Sequence, residues 1–286
     1  MEERKVRIVT YGVVLVGILI VFCVLLQRPR LDGRTHVYML NVGQGDSFLI
    51  QAANGRQMLI DGGRDATVLS ELTKVMPRGD RSIDVVIATH PDADHIGGLP
   101  LVFDRYKIGM FLTTEAQAES KIQDTLLEKL IDKNIPSYYA RRGMTITLDT
   151  THRDTFSVLF PDRPTAGWET NTASIVGKFS SGSKSMLFTG DSPIAIEQFL
   201  ARTIPQHINA DIVKLGHHGS KTSSSEEYLK AVSSALALIS AGVDNSYGHP
   251  HKEVTNRLKK LGIPFVSTQE KGTVELVSDG VSWVMK

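Results

Sequence analysis

Four side chains that bind metal ions fall within six positions of this chain. They are His90, Asp92, Asp94 and His95, in the run Thr89-His90-Pro91-Asp92-Ala93-Asp94-His95-Ile96-Gly97-Gly98. Imidazole combined with carboxylate suits zinc, manganese or iron. One ion cannot easily take all four groups of so short a loop, so the spacing points to two adjacent ions. An extended loop would aim His90, Asp92 and Asp94 the same way, and a turn at Gly97 would bring His95 round to join them. The competing reading is an acidic surface loop with two incidental histidines, which leaves the cluster's partners elsewhere in the chain unexplained.

Those partners are Asp61-Gly62-Gly63, Gly190-Asp191, Gly216-His217-His218-Gly219-Ser220 and Tyr247-Gly248-His249-Pro250-His251. With the His90 loop, these clusters hold six of the nine histidines, and histidines scattered through a core would not favour such positions. Each cluster follows an apolar segment short enough for a buried strand. Ile83–Ala88 leads to the His90 loop, Gln57–Ile60 to Asp61, Ser185–Thr189 to Asp191, Ala210–Leu215 to the histidine pair, and Ala235–Ser240 to His249. Open α/β sheets place ligands at the carboxyl ends of strands. If these ends converge on one edge, they supply enough ligands for two metals.

The elements that must position them read in order as follows. His36–Val42 and Ser47–Ala52 are strands, and Asn54-Gly55 is a hairpin signal leading to Gln57–Ile60. Ala66–Met76 has helical spacing, Tyr106–Leu112 reads as a strand and Ala118–Lys133 as a helix. Short strands fill Ser137–Phe160, followed by a polar loop from Pro161 to Asn171 that carries Trp168. A second hairpin joins Ser174–Ser180 to Ser185–Thr189, and Pro193 opens a helix to Arg202. Helices at Glu226–Ser233 and Glu253–Leu261 and strands at Phe265–Val266, Thr273–Leu276 and Val281–Val284 complete the chain. Strands alternate with helices in both halves, with hairpins in each. This predicts an α/β fold of two sheets covered by helices, a four-layer αββα sandwich.

At 286 residues, 41% hydrophobic and 22% charged, the chain is long enough for a substantial core. Its single cysteine, Cys23, excludes an intramolecular disulfide and a cysteine zinc site. After a charged tail (1–7), residues 8–26 form a 19-residue apolar stretch, the length of one membrane-spanning helix. It is longer than the core of a cleaved signal peptide, and no small-residue cleavage site follows. Bulky Phe22 before Cys23 argues against a lipoprotein signal. We expect a transmembrane anchor over 8–26, a linker over 27–35 and one domain over 36–286. Arg4, Lys5 and Arg7 before the span balance Arg28, Arg30 and Arg34 after it, so charge does not orient it.

The motifs resemble those of the metallo-β-lactamase superfamily: Asp61-Gly-Gly its first, His90-x-Asp92-x-Asp94-His95 its second, and Gly190-Asp191 its fourth. More narrowly, the chain resembles the hydrolase domain of ComEC-type competence proteins. That resemblance rests on Asn41-Val-Gly-Gln-Gly-Asp46, Leu59–Gly63, Thr89–Gly98, Phe188–Asp191, Lys214–Ser223 and Asn245-x-Tyr-Gly-His-Pro-His251, in order across residues 36–286. The multi-span channel of a full ComEC protein is not in this sequence. A third-motif histidine is not evident, since His152 falls between strands. Asn171 with Ser174 resembles an Asn-x-x-Ser element of the group, and Gln269 stands where the group's usual Asp follows Thr.

The residues and the resemblance together imply two divalent metal ions, manganese or zinc. His90 and Asp92 would hold one. Asp94, His95 and one histidine of the 217–218 pair would hold the other, with His217 taken first and His218 as its neighbour, in an order the sequence leaves open. Asp191 would bridge the two ions, and Asp61 would orient a histidine ligand. Asp61, Asp94 and His249 form the catalytic set, with His249 a proton donor or substrate contact. Asn171, Ser220, Lys221, Thr222 and His249 would face substrate; a solvated serine-rich loop capping the next helix is the alternative for residues 220–225. Asn41–Asp46 shapes the turn under the site, and Trp168 packs or stacks on a base.

The function this implies is a membrane-anchored, metal-dependent phosphodiesterase or nuclease related to DNA uptake. It would sit in the cell membrane as a single-pass protein, with the hydrolase domain outside the cytoplasm. DNA or another phosphodiester would be its substrate and DNA-uptake proteins its partners. The alternatives are a metallo-hydrolase of a choline-phosphate ester or cell-wall component, and a non-catalytic binding domain. Residues 36–286 keep 26 of the 32 Lys+Arg and 28 of the 31 Asp+Glu, a formal charge of −2. That is not the footprint of a strong nucleic-acid binder.

Overall fold

The computed structural model describes Gly17 and residues 32–286. The anchor expected over 8–26 otherwise lies outside the described residues. Among the described residues, no helix is long and apolar enough to cross a membrane.

Two sheets form the centre of the molecule. The first contains β1 (Thr35–Met39), β2 (Phe48–Gln51), β3 (Gln57–Ile60), β4 (Ser82–Ile87), β5 (Lys107–Thr113), β6 (Ser137–Tyr139), β14 (Val274–Ser278) and β15 (Trp283–Met285), in the order β15-β14-β1-β2-β3-β4-β5-β6. The second contains β7 (Thr145–Asp149), β8 (Asp154–Phe160), β9 (Val176–Ser181), β10 (Lys184–Phe188), β11 (Ile212–Lys214), β12 (Leu236–Ile239) and β13 (Phe265–Ser267), in the order β13-β12-β11-β10-β9-β8-β7.

Side chains alternate across each strand, and both faces are apolar because both are covered. In the first sheet Phe48, Ile50, Met58, Ile60, Val85 and Ile87 face the second sheet, where Met186, Phe188, Ile212 and Leu238 meet them. The residues between them, Leu49, Leu59 and Val86, face the outer layer of α1 (Thr67–Val75), α2 (Ala93–Ile96), α3 (Leu99–Arg105) and α4 (Lys121–Asp132). On the other side Leu187, Val213, Ala237 and Ile239 pack under α5 (Ile194–Thr203), α6 (Pro205–Ile208), α7 (Glu226–Val232) and α8 (Lys252–Leu261). Three cores thus separate four layers, as the element pattern predicts. A short α9 (Thr268–Lys271) follows β13.

The two halves present their carboxyl ends in the same way. β3, β4, β5 and β6 run parallel, as do β10, β11, β12 and β13. Bonds between the layers draw the two rows of strand ends together. Ser240 Oγ donates to the Gly45 carbonyl (2.7 Å), and the Ile175 amide donates to the Thr89 carbonyl (2.9 Å).

One local expectation differs. The loop after β4 is not extended through Asp94: Asp92 caps α2, so Asp94 and His95 sit on a helical turn. Gly97 continues that turn with helical angles (φ −59°, ψ −34°) rather than reversing the chain. Its need for glycine is steric. A Cβ on Gly97 would collide with the Arg64 carbonyl, and one on Gly98 with that of Gly62. The pair lets the loop after β3 lie against the end of α2 and the start of α3, where the Gly62 amide donates to the His95 carbonyl (2.7 Å).

Candidate metal centre

Five strand ends meet. β3 delivers Asp61, β4 delivers His90 to His95, β10 delivers Asp191, β11 delivers His217 and His218, and β12 leads to His249. One oxygen is central. Asp191 Oδ2 lies 3.4 Å from His95 Nε2, 3.3 Å from His218 Nε2 and 3.7 Å from His217 Nε2. His218 Nε2 is also 3.4 Å from Asp94 Oδ2. The His90 ring lies 4.0 Å from that of His95, tilted by 49°, and places its Nε2 3.7 Å from Asp92 Oδ2.

The opposite nitrogens of these rings are tied back. His95 Nδ1 donates to Asp61 Oδ2 at 2.8 Å. Asp61 also accepts from the Thr89 amide and hydroxyl, each at 2.7 Å. Because the Thr89 hydroxyl gives its proton to Asp61, it accepts from His90 Nδ1 at 3.0 Å. His218 Nδ1 donates to the Ser240 carbonyl at 2.9 Å. Each Nδ1 therefore carries the proton when the ring is neutral, and each Nε2 presents a lone pair. The Nε2 atoms of His90, His95 and His218 are fully buried without a hydrogen-bond partner. Burying three such atoms unpartnered is costly. A divalent cation among them and the Asp94 and Asp191 carboxylates removes the cost, and ring orientation by outer partners is the usual arrangement of a metal-binding histidine. The donor set fits metal.

His218 is buried while His217 is about a third exposed. Both have left-handed backbone (φ 55° and 51°), which costs a non-glycine residue roughly 1–3 kcal/mol each. That strain turns both imidazoles toward Asp191. Thr222 Oγ1, itself 2.9 Å from Ser220 Oγ, lies 3.3 Å from His217 Nδ1, so these two hydroxyls steady His217. Ser225 caps α7 by accepting from the Tyr228 amide. Lys221 is exposed, and its amide donates to His251 Nδ1 at 3.1 Å.

Asp46 and Lys214 belong to the site but not to the expected set. Lys214 Nζ is buried against Asp46 Oδ2, donates to the Gly190 carbonyl at 2.8 Å, and lies 3.4 Å from Asp191 Oδ1. It thereby holds one oxygen of Asp191 and leaves the other to the histidines. Asp46 groups with His95, Asp191 and His218 by proximity. It faces their Nδ1 atoms, however, at 3.3 Å from His218 and 3.9 Å from His95. It thus stands behind the rings, away from the free Nε2 atoms. The signals were a lone lysine inside an apolar strand and an acid beside a glycine turn.

Burial and neighbouring charges pull these groups in opposite directions. Burial opposes charge on His218 and His95, yet Asp191, with Asp46 for one and Asp61 for the other, holds both imidazoles well above their ordinary range. Burial would raise Asp191, but His218, His95 and Lys214 keep it well below the carboxylate range. Burial, with His95 beside it, pushes His90 well down. Metal must displace the protons of His95 and His218. Without metal, the stability these charged rings contribute is present below the ordinary imidazole value of 6.5 and is lost as pH rises through their raised values. Metal has the opposite trend. The melting-temperature gain on adding manganese or zinc should grow from about pH 6 to about pH 8, with protons released on binding. A gain independent of pH would contradict this.

The remaining candidates divide. His249 joins the cluster, 5.4 Å from His217 and 6.1 Å from His218 between ring centroids. Burial, then the neighbouring imidazoles of His218, His217 and His251, pushes it down to about 4, so it is neutral at pH 7. Gln44 Nε2 lies 3.5 Å from its Nδ1, which leaves the proton on Nε2. Gln269 secures this loop, donating to the carbonyls of Gly242 (2.6 Å) and His249 (3.0 Å). Asn171 lies in the loop before Ser174, and its Oδ1 is shielded without a partner. Ser174 Oγ accepts from the Asp191 amide at 3.1 Å. Trp168 packs against Phe160 in the core beneath α5, and His152 lies in the turn between β7 and β8.

The family described as the Metallo-beta-lactamase superfamily matches residues 40–243. ComE operon protein 3 of Bacillus subtilis (strain 168) is 29% identical over 264 residues, covering 86% of this chain and 33% of that protein. Competence protein ComA of Neisseria gonorrhoeae is 31% identical over 250 residues, covering 85% of this chain and 32% of that protein. The chain spans about a third of the length of these relatives. Among solved structures, the metallo hydrolase Igni18 of the archaeon Ignicoccus hospitalis shares the fold, with a TM-score of 0.53 over 84% of this chain and 98% of that one at 16% identity. The chain therefore belongs to the metallo-beta-lactamase superfamily, where it is similar to competence proteins of the ComEC type.

Proposed function

We propose that residues 36–286 form a two-metal phosphodiesterase acting on DNA or a related phosphodiester. The observation that carries this reading is Asp191 Oδ2, which faces three imidazole Nε2 atoms. His90 and Asp92 would hold one ion, Asp94, His95 and His218 the other, with Asp191 between them and His217 beside it. Nitrogen and oxygen donors without cysteine suit manganese or zinc. Such ions supply Lewis acidity toward a phosphoryl oxygen and a nucleophile at neutral pH.

The protein's own groups do the rest. Asp61, through His95 directly and through Thr89 to His90, fixes the rings so that Nε2 lone pairs face inward. Lys214 fixes Asp191. His249, neutral with its proton on Nε2, can donate a hydrogen bond to the leaving oxygen as charge develops there. A phosphodiester is anionic and resists attack by hydroxide, so a paired-cation site suits it better than it suits a neutral ester.

The competence relatives support a role in DNA uptake, with uptake proteins as partners; the apolar stretch over 8–26 supports a single membrane anchor, and the ComEC resemblance with the short tail of residues 1–7 supports a domain outside the cytoplasm. A reporter fused after Lys286 should be active only outside the cytoplasm. The metal-loaded domain should cleave single-stranded DNA and a chromogenic phosphodiester. Activity on a β-lactam or thioester, with none on either phosphodiester, would overturn the assignment.

A further inference from the structure

The reading above leaves open what flanks the scissile phosphate, and this inference deepens that reading. Beside the metal centre stands an exposed aromatic ring that no packing role explains. Tyr247 is 52% exposed. Its ring stacks on His249 at 5.6 Å with the planes 20° apart, and His249 in turn lies 6.1 Å from His218 with planes 35° apart. A stacked pair, with His218 tilted behind it, thus leads from a buried candidate ligand outward to solvent.

The loop that carries Tyr247 is clamped. Asn245 Nδ2 donates to the carbonyls of Gly242 (2.9 Å) and His249 (2.7 Å), and Asn245 Oδ1 accepts from the His249 amide (2.9 Å). Gln269 Nε2 reaches the same two carbonyls from α9. The ring is therefore held in place before a ligand arrives, which lowers the cost of using it. With a formal charge of −2 over residues 36–286, the domain has no overall cationic attraction for a polyanion, so another source of affinity is needed.

We propose that Tyr247 is a stacking platform for the nucleobase next to the scissile phosphate, which makes the preferred substrate a nucleotidyl phosphodiester. Stacking is tolerant of sequence, because every base has a flat face. A quaternary ammonium, as in a choline phosphate, fits less well. It favours several aromatic rings around one charge, and here the ring's neighbours are imidazoles beside a cation-binding centre.

The test compares two substrates with the same leaving group, thymidine 5′-(4-nitrophenyl phosphate) and methyl 4-nitrophenyl phosphate. Manganese-loaded wild-type protein should show a lower KM for the thymidine ester. Tyr247→Ala should raise that KM roughly tenfold or more, well beyond any effect on the methyl ester, and Tyr247→Phe should restore it. An equal loss on both esters would assign Tyr247 a merely structural role and overturn the proposal. Binding separates this inference from the hydrolase reading. In calorimetry, thymidine monophosphate should bind tighter than methyl phosphate, and Tyr247→Ala should abolish the difference, whether or not either ester is cleaved. Equal binding of the two would overturn the platform even in an active enzyme. Tyr247-dependent binding of phosphocholine tighter than that of thymidine monophosphate would replace the base with a cation.

Discussion

Asp191→Asn is expected to release most of the bound metal and to lower phosphodiester turnover by orders of magnitude. An amide keeps the shape of the side chain but presents a weaker, neutral oxygen where three imidazoles converge. The fold should survive, because Lys214 retains Asp46 and the Gly190 carbonyl as partners. Asp61→Asn provides the scale. It acts through His95 and Thr89 rather than on metal, and losing such an outer partner costs roughly 10–100-fold in metal affinity or activity. The two variants should therefore differ clearly when metal content is measured on purified protein. If Asp191→Asn kept a full metal complement, Asp191 would not be the shared ligand.

Much of this was legible because the site's chemistry sits at strand ends. The runs ending at Asp61, His90, Asp191 and His218 each pair an apolar strand with a short polar signature. Alternation was hidden along Phe48–Ile50, Met58–Ile60 and Val85–Ile87, where consecutive positions are apolar and buried on both faces. The layers were nonetheless readable from the order of elements. What escaped was whatever depended on two distant segments meeting. Gly97 and Gly98 looked like a turn, but their reason is the backbone of residues 62–65 packed against them. Asp46 looked like part of a tight turn, and its position behind His218 is set by β11, which lies far from it in sequence. Which histidine of the pair is buried depends on two left-handed residues in succession, a backbone state that no local pattern announces.

Lys214→Met should be the most destabilising single substitution in the site. Lys214 is 1% exposed, and Asp46 beside it is 2% exposed. Burial works against charge on both, yet each holds the other ionised: Asp46 and Asp191 raise the ammonium, and Lys214 leads the groups that lower Asp46. Removing one partner of a buried pair leaves an uncompensated charge, at about 3–5 kcal/mol. Replacing both partners costs less, because Asp46 no longer carries a charge to strand, while Asp191, which also loses Lys214, keeps His95 and His218 as partners. The double variant Asp46→Asn/Lys214→Met should therefore be more stable than Lys214→Met alone, the reverse of additivity. The pH dependence has a fixed sign. The folded-state value of Asp46 is depressed, so its stabilising contribution is present above the ordinary carboxylate value of 3.8 and is lost as pH falls through the depressed value. In Lys214→Met the stranded carboxylate can take a proton more easily, so the deficit against wild type should shrink toward acid. Denaturant unfolding of the metal-free proteins at neutral and acid pH measures both effects. A double variant as unstable as the sum of its singles would show that the lysine serves packing rather than charge.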